Sequence, residues 1–406
     1  MSVTLVSQPT ETIAADNCPV YSLQLTDAGS ATVINSLGYE FYVDGEKLAG
    51  LTELGFTGAA EQFNFARILR AQVKATLAGY NTTSVTLDSA AVKPFYLKYG
   101  TLTWYTETCQ KITALGNQSA TRYAVSARFP WYLDDGEIDA GAPVVLTERP
   151  ARIPIYTGQR DWIHIWRKSG GVSVQFKGYD GSGNLLVRQT ASASFNKQVR
   201  IFPIGPGNGF FSGNFSGSIA YYDIDVHDGI ISEPDIGVTG FGFETQDVNL
   251  DVGAQSVVWT CRFIVQSCTD GTAPNDEIYF EEPFGGYSGL RFLSVQASAS
   301  PTSKRYRKGV PCGLSSPAAG LDYGTTRYDL QSFGAWLMRT EIPYVEGIER
   351  WLNAFFSARN HFLKFKLPSG SFTYAKVILS DGSYNVLNGK EAITLEAVFE
   401  THLSAI

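Results

Sequence analysis

Few residues of this chain have the types and spacing that chemistry needs. Asp134, Asp135, Glu137 and Asp139 could offer oxygen ligands to calcium, but beside Gly136 they read more simply as the exposed acidic tip of a hairpin. Gly205-Pro-Gly-Asn-Gly209 follows a strand-like run and could cradle a phosphate. No Gly-Lys-Ser/Thr follows it and no helix pattern opens behind it, so it reads as a flexible connection between strands. His164, His227, His361 and His402 stand singly, without the spacing of metal ligands, and His164, between Ile163 and Ile165, reads as the outward residue of an alternating strand. Cys18, Cys109, Cys261, Cys268 and Cys312 are odd in number and far apart, which argues for free thiols rather than a disulfide framework or a zinc site. No Gly-x-Ser-x-Gly elbow occurs, and no pair of carboxylates stands out for glycoside hydrolysis. No catalytic residue, metal ligand or cofactor site is therefore expected.

Two groups suit contact rather than reaction. Trp104, Trp131, Trp162 and Trp166 could form a sugar-stacking platform, but aromatics of this kind more often fill cores or interfaces. Trp131, Trp162 and Trp166 are accordingly the aromatic interface candidates. Lys304, Arg305, Arg307 and Lys308 form a basic run that could touch passing nucleic acid or an acidic neighbouring subunit, and they are the charged interface candidates.

The elements that must position these residues are mostly strands. Tyr39 to Val43 followed by Asp44-Gly45-Glu46 predicts a hairpin, and Asp180-Gly-Ser-Gly-Asn184 predicts another turn. Gly170-Gly171, between Trp162–Trp166 and Val172–Phe176, also has the form of a hairpin turn. Glu61 to Val73 carries Phe65, Ile68, Leu69 and Val73 on one side and predicts a short helix. Residues 299–327 are small, polar and partly basic, as in a long exposed loop. In 343–359, Val345, Ile348, Trp351, Leu352, Phe355 and Phe356 recur at helical spacing behind Pro343 and Glu346. The strands His361–Leu367, Thr373–Leu379 and Ile393–Phe399 follow, the last two separated by an expected turn at Asp381-Gly382.

The pattern predicts a mainly β chain in three successive parts. An N-terminal β-sandwich with one short helix takes 1–100, and a middle β-sandwich takes 101–250. An α+β domain takes 251–406, with one amphipathic helix packed on the strands that flank it. Composition agrees: the 406 residues are 13% aromatic and only 17% charged, with 40 glycines, the profile of a strand- and turn-rich chain rather than a disordered one. A net charge of −7 argues against a general nucleic-acid binder. No apolar run approaches the roughly 18 residues of a membrane span, and the start lacks the basic and apolar regions of a secretory signal, so synthesis in a cytoplasm is expected.

One succession of motifs carries a resemblance. Glu277-Ile-Tyr-Phe280 is followed by Gly285-Gly286-Tyr287, Arg291-Phe292, Tyr306-Arg-Lys308 and Trp351-Leu352. Phe362-Leu-Lys-Phe365, Val377 to Tyr384 and Leu395 to Glu400 come after them. With Gln8-Pro9, Asn17 and Pro19-Val20-Tyr21 at the start and Phe202-Pro203 before the glycine-rich loop, this order resembles structural tail proteins (tail hub or baseplate) of tailed phages infecting Bacteroidetes, including crAss-like phages. The likeness is loose over most of the chain and best over 257–403. Tyr287-Ser288 and Glu281-Glu282-Pro283 depart from the pattern. The resemblance implies a non-enzymatic virion component that forms a ring-like homo-oligomer, joins tail tube or core to fibres, and surrounds the DNA conduit. A carbohydrate-binding or glycan-degrading β-protein is the alternative reading.

Overall fold

Period-two alternation runs through most of the sequence, and strands run through most of the chain. The computed structural model describes residues 3–15, 17, 19–26, 29–30, 32–53, 59–79, 81–127, 140–208, 218–231, 256–266, 276–307, 325–366, 369, 371–386 and 392–403. The elements begin with β1 (Val3–Ser7), β2 (Thr12–Ala14), β3 (Val20–Leu25), β4 (Val33–Val43), β5 (Glu46–Glu53), β6 (Ala60–Asn64), α1 (Ala66–Gln72), β7 (Thr86–Asp88) and β8 (Val92–Tyr105). They continue with β9 (Gln110–Gln118), β10 (Arg122–Val125), β11 (Val144–Val145), β12 (Arg152–Tyr156), β13 (Trp162–Tyr179), β14 (Leu185–Pro203), β15 (Tyr221–Asp228) and β16 (Val257–Gln266). The last are β17 (Glu277–Glu281), β18 (Tyr287–Arg291), β19 (Ser294–Arg307), β20 (Thr325–Pro343), α2 (Ile348–Ser357), β21 (His361–Lys366), β22 (Phe372–Val386) and β23 (Ala392–Leu403). The fold is mostly β, in several largely antiparallel sheets, with parallel pairing of β2 with β10 and of β12 with β16. Among the described residues no helix is long and apolar enough to cross a membrane.

The chain gathers into two units. The first comprises Met1–Gly271, Glu281–Gly289 and Val345–Ala358, and the second Thr272–Phe280, Leu290–Tyr344 and Arg359–Ile406. The range 251–406, expected as one domain, thus contributes to both.

In the first unit, the sheet β1-β3-β6 and the sheet containing β2, β10, β8, β4 and β5 share one core with α1. Tyr21, Phe41, Phe65 and Phe95 meet there, with Phe41 stacked on Phe65 at 4.0 Å between ring centroids. The expected hairpin at Asp44-Gly45 joins β4 to β5, both turn residues holding positive φ (53° and 83°), as a tight primed turn requires. The helix expected over 61–73 forms only as α1, because residues 60–64 pair with β3 as a strand and place Phe63 in the core. A third sheet runs β12-β16-β15-β13-β14-β7, with β11 beside β13.

Gly170-Gly171 does not turn the chain. The two runs expected on either side of a hairpin are one continuous strand, β13, paired with β14 along its length. Gly170 takes φ +101° without interrupting the strand, and a Cβ on Gly171 would lie 2.5 Å from the Ile230 side chain. The glycines here permit a kink and a close approach, which sequence alone does not distinguish from a turn. The true turn is the expected one at 180–184, where Asp180 accepts from the Ser182 and Asn184 backbone N–H groups at 2.8 Å.

The second unit is built on the order β17-β21-β22-β23-β20-β19, with β18 beside β17 at the edge. Ile393, Leu395, Ala397 and Phe399 on β23 are all buried, alternating as the sequence predicts. Three expectations fail here. Residues 299–307 and 325–327, expected within a loop, pair as arms of the long β19–β20 hairpin. Asp381-Gly382 does not turn; it stays in β22 opposite Val398 and Ala397, after a register shift between Leu379 and Asp381. The helix expected over 343–359 is shorter: Pro343 closes β20 against Ala392, and Gly347 at φ +85° ends any upstream extension, so α2 starts at Ile348. Its apolar stripe is as read, with Ile348, Trp351, Leu352 and Phe355 buried. The helix groups with the first unit, however, where Arg350 meets Glu148 and Gly347 approaches Pro150, rather than with the strands that flank it in sequence.

Candidate functional site

The first unit buries a knot of charge around Arg149. Arg149 lies in the connection between β11 and β12, just before Pro150, Asp161 is the last residue before β13, and Glu282 opens the turn between β17 and β18. Segment 281–289 reaches the knot because Gly285 and Gly286 let it lie against backbone. A Cβ on Gly285 would sit 1.3 Å from the Ser126 carbonyl oxygen, and one on Gly286 2.1 Å from that of Leu146.

The side chains of Arg149, Asp161 and Glu282 are at most 3% exposed. Arg149 Nη2 donates to Asp161 Oδ1 at 2.7 Å and to the carbonyls of Trp162 and Tyr287 at 3.1 Å, while Nε donates to Ser288 Oγ at 2.8 Å. Its Nη1 has no hydrogen-bond partner among the described residues. Glu282 accepts from Thr147 Oγ1, the Glu148 backbone N–H and Ser288 Oγ, and lies 3.9 Å from Arg149 Nε. Asp161 Oδ1 also accepts from the Trp162 N–H at 2.9 Å. One guanidinium thus serves two carboxylates in a place without water-like screening. Burial pushes the Asp161 carboxyl up from 3.8 to about 6, against the pull of Arg149. Burial likewise pushes up the Tyr222 hydroxyl and the Cys261 thiol, whose Sγ lies 3.3 Å from the Pro150 carbonyl.

His164 corrects the sequence reading. It is fully buried rather than outward, since β13 is covered on both faces over 162–166. Its Nε2 lies 3.2 Å from the Thr76 carbonyl, Nδ1 has no hydrogen-bond partner among the described residues, and burial lowers its pKa. The second unit has its own buried set. Lys364 Nζ donates to Asp276 Oδ1 and Glu277 Oε1, both at 3.0 Å, and Arg291 pairs with Asp276 at 2.7 Å. Two cations there face two carboxylates, so the charges balance.

The interface candidates fare unevenly. Trp162 and Trp166 are 0% exposed, so neither is a surface anchor: Trp166 packs with Ala14, Leu146, Val199 and Phe284. The sugar-stacking platform loses both rings as a result. Trp131, Lys308 and the acids Asp134, Asp135, Glu137 and Asp139 lie outside the described residues, as do Cys18, Cys268 and Cys312. Lys304, Arg305 and Arg307 lie on β19 near the far end of its hairpin. The glycine-rich run is no flexible connection where it is described. A Cβ on Gly205 would meet the Asp161 nitrogen at 2.4 Å, and Asn208 Oδ1 accepts from that nitrogen at 3.0 Å. Cys261 is a buried free thiol as expected, whereas Cys109 is exposed. Among the described residues no group of three or more His, Cys, Asp or Glu could hold a metal ion.

Arg149, Asp161 and Glu282 were invisible as a set because each partner is distant in the chain. The available signal was local: an acid immediately before the apolar run Trp162–Trp166, and an acid opening a Pro-Phe-Gly-Gly turn, in a chain with few charges. The arrangement can bind segments together and respond to protons. No protein-family model matches the chain, and no curated protein matches it.

Proposed function

We propose that this chain is a structural subunit of a phage tail, a hub or baseplate component of the virion that packs against copies of itself in a ring. It joins the tail tube or core to fibres around the DNA conduit and has no catalytic role. In this reading the sheets of the first unit face each other as the side-by-side sandwiches that the resemblance implies.

One observation carries the assembly reading most directly. Strand β9 is nine residues long and buries no side chain. Among the described residues it pairs with β8 alone. Beside it, Trp104 and Ile34 sit opposite each other across β8 and β4, 42% and 39% exposed, and Ile112 on β9 is 43% exposed. A strand that adds nothing to its own core, with apolar groups at its flank, suits contact with another chain.

Light scattering of the purified protein over a range of concentrations tests this. A discrete ring-sized oligomer, or a monomer that assembles on addition of a tail-tube or fibre protein, is expected. Ile112→Lys should shift that assembly towards the monomer while changing stability by no more than about 0.5 kcal/mol, as for an exposed position. A monomer that ignores such partners and binds or cleaves glycans would overturn the reading.

A further inference from the structure

Lys364, in the second unit, is an unusual choice for a dry interior. A lysine ammonium is a compact, strongly hydrated charge on a flexible stem, and buried ion pairs ordinarily use arginine. Yet its side chain is 1% exposed, and those of Asp276 and Glu277 are 5% and 1% exposed. Lys47, Lys93, Lys168, Lys177 and Lys197, which also pair with acids, keep 25–51% of their side chains exposed. Lys364 Nζ lies 3.0 Å from both Asp276 Oδ1 and Glu277 Oε1, and 4.9 Å from the centre of the Phe372 ring. Tyr279 donates to Glu277 Oε2, and Arg291 Nη2 lies 2.7 Å from Asp276 Oδ2.

We propose that Lys364 and Asp276 condense to an amide that ties β21 covalently to the residue before β17, with Glu277 carrying the protons. The reaction balances within the cluster. An ammonium and a carboxylate become a secondary amide and one water: one ammonium hydrogen stays on nitrogen and two leave with Oδ1. Glu277 takes a proton from Nζ and passes it to Asp276 Oδ1, so that a neutral amine faces a neutral acid. The amine lone pair then forms a bond to Cγ of Asp276. Arg291 holds Oδ2, the oxygen that gains negative charge in the tetrahedral intermediate and stays in the product. A second proton passes from nitrogen through Glu277 to Oδ1, the Cγ–Oδ1 bond breaks, and water departs.

Burial favours each step. Side chains held in contact react as though at very high local concentration, and a site closed to water does not readily hydrolyse its product. Burial also raises the proton affinity of Glu277 against the pull of Lys364, which suits a group that holds protons in transit. The product is easier to bury than the ions. The amide removes one cation and one anion, and Arg291 and Glu277 remain as one of each. The tie also has a place to act. β17 pairs with β21 through three residues only, Ile278 to Phe280, and an amide beside them fixes a short strand whose end would otherwise fray. The bond forms within one chain and does not depend on assembly into a ring.

Mass spectrometry of the intact full-length protein, unfolded in denaturant, tests the bond. The mass should fall short of that of the sequence by one water. Ring closure at an Asp-Gly pair such as Asp44-Gly45 loses the same mass, so digestion must also yield a branched peptide in which Lys364 Nζ carries the segment containing Asp276. Lys364→Arg keeps a cation without the reactive amine, and Asp276→Ala removes the carboxyl, so each should restore the full mass. Glu277→Gln keeps both partners but takes up no proton, and should leave them unjoined. The wild-type protein decides the matter even if the variants do not fold: a mass equal to that of the sequence overturns the proposal. So does a lost water with the Asp276 and Lys364 peptides found separate, or a branch from Lys364 to Glu277. Joining that survives Glu277→Gln overturns the role given to that carboxylate.

Discussion

Glu11 shows how a single residue couples this chain to pH at the surface. Its carboxylate lies 2.7 Å from Lys168 Nζ and 2.8 Å from Lys197 Nζ. The hydrogen bond from Lys168, then that from Lys197, lowers its pKa from 4.5 to about 2. A carboxyl lowered in the folded state contributes stability that is complete above its unfolded value and is lost as pH falls through the folded one. The relevant window is therefore pH 4.5 down to about 2. The group is a third exposed, so screening by water and salt keeps the effect small. Glu11→Gln should cost less than about 1 kcal/mol in urea unfolding at pH 7, and the gap from wild type should narrow steadily below pH 4.5. A gap that widens with acid would contradict the pairing. Asp161 carries the opposite sign because burial, not a partner, dominates its shift. The two acids thus separate an ordinary surface pairing from a strained interior one.

Glycine makes the same distinction among elements. Gly347 ahead of α2 needs its left-handed backbone but has room, since a Cβ there meets only Pro150 at an ordinary 3.6 Å. Gly205 has no positive φ, yet its Cβ would strike the backbone of Asp161 and the carbonyl of Gln159. Gly347→Ala should cost about 1–2 kcal/mol, the left-handed penalty for one residue. Gly205→Ala should cost more, because backbone must move, and thermal melts of the two variants compare them directly. Equal losses would mean that the segment after β14 yields easily. The same contrast explains what the sequence made legible. Asp44-Gly45, Asp180–Asn184 and the stripe of α2 were readable because their causes lie within a few residues. Gly170-Gly171, Asp381-Gly382 and the start of Glu61–Val73 misled because a partner strand decided them: β14 held β13 extended, β23 held β22, and β3 claimed residues 60–64. The burial of Trp162, His164 and Trp166 was hidden for the same reason, as alternation shows two faces but not what covers each.

At the scale of the whole molecule, the chain passes between its two units repeatedly rather than once. Segment 281–289 and α2 belong with residues 1–271 although they follow them in sequence. A fragment ending at Gly271 would therefore leave Arg149 buried without Glu282 or Ser288, and Pro150 without Gly347. Breaking a buried charge set by removing one partner typically costs about 3–5 kcal/mol. Fragment 1–271 is expected to lack the sharp aromatic circular dichroism of the full chain and to exchange its amides rapidly around Arg149 and Trp162. A fragment with native signals there would show that the later segments are ornaments on a self-sufficient unit. The sequence suggested cuts near 100 and 250 because composition and turns change along the chain, and no local feature records a return of later residues to an earlier core.

That return has a temporal meaning. Residues 1–271 leave the ribosome well before α2, the last segment they await, is made. The delay spans roughly ninety residues, or about 4–18 s at translation rates of about 5–20 residues per second. In its first part, until residues 281–289 are made, a guanidinium destined for a dry interior has only one of its two acids, and the glycine-fitted seat at Ser126 and Leu146 stands open. The nascent chain must either stay soluble in that half-finished state or be guarded by a chaperone.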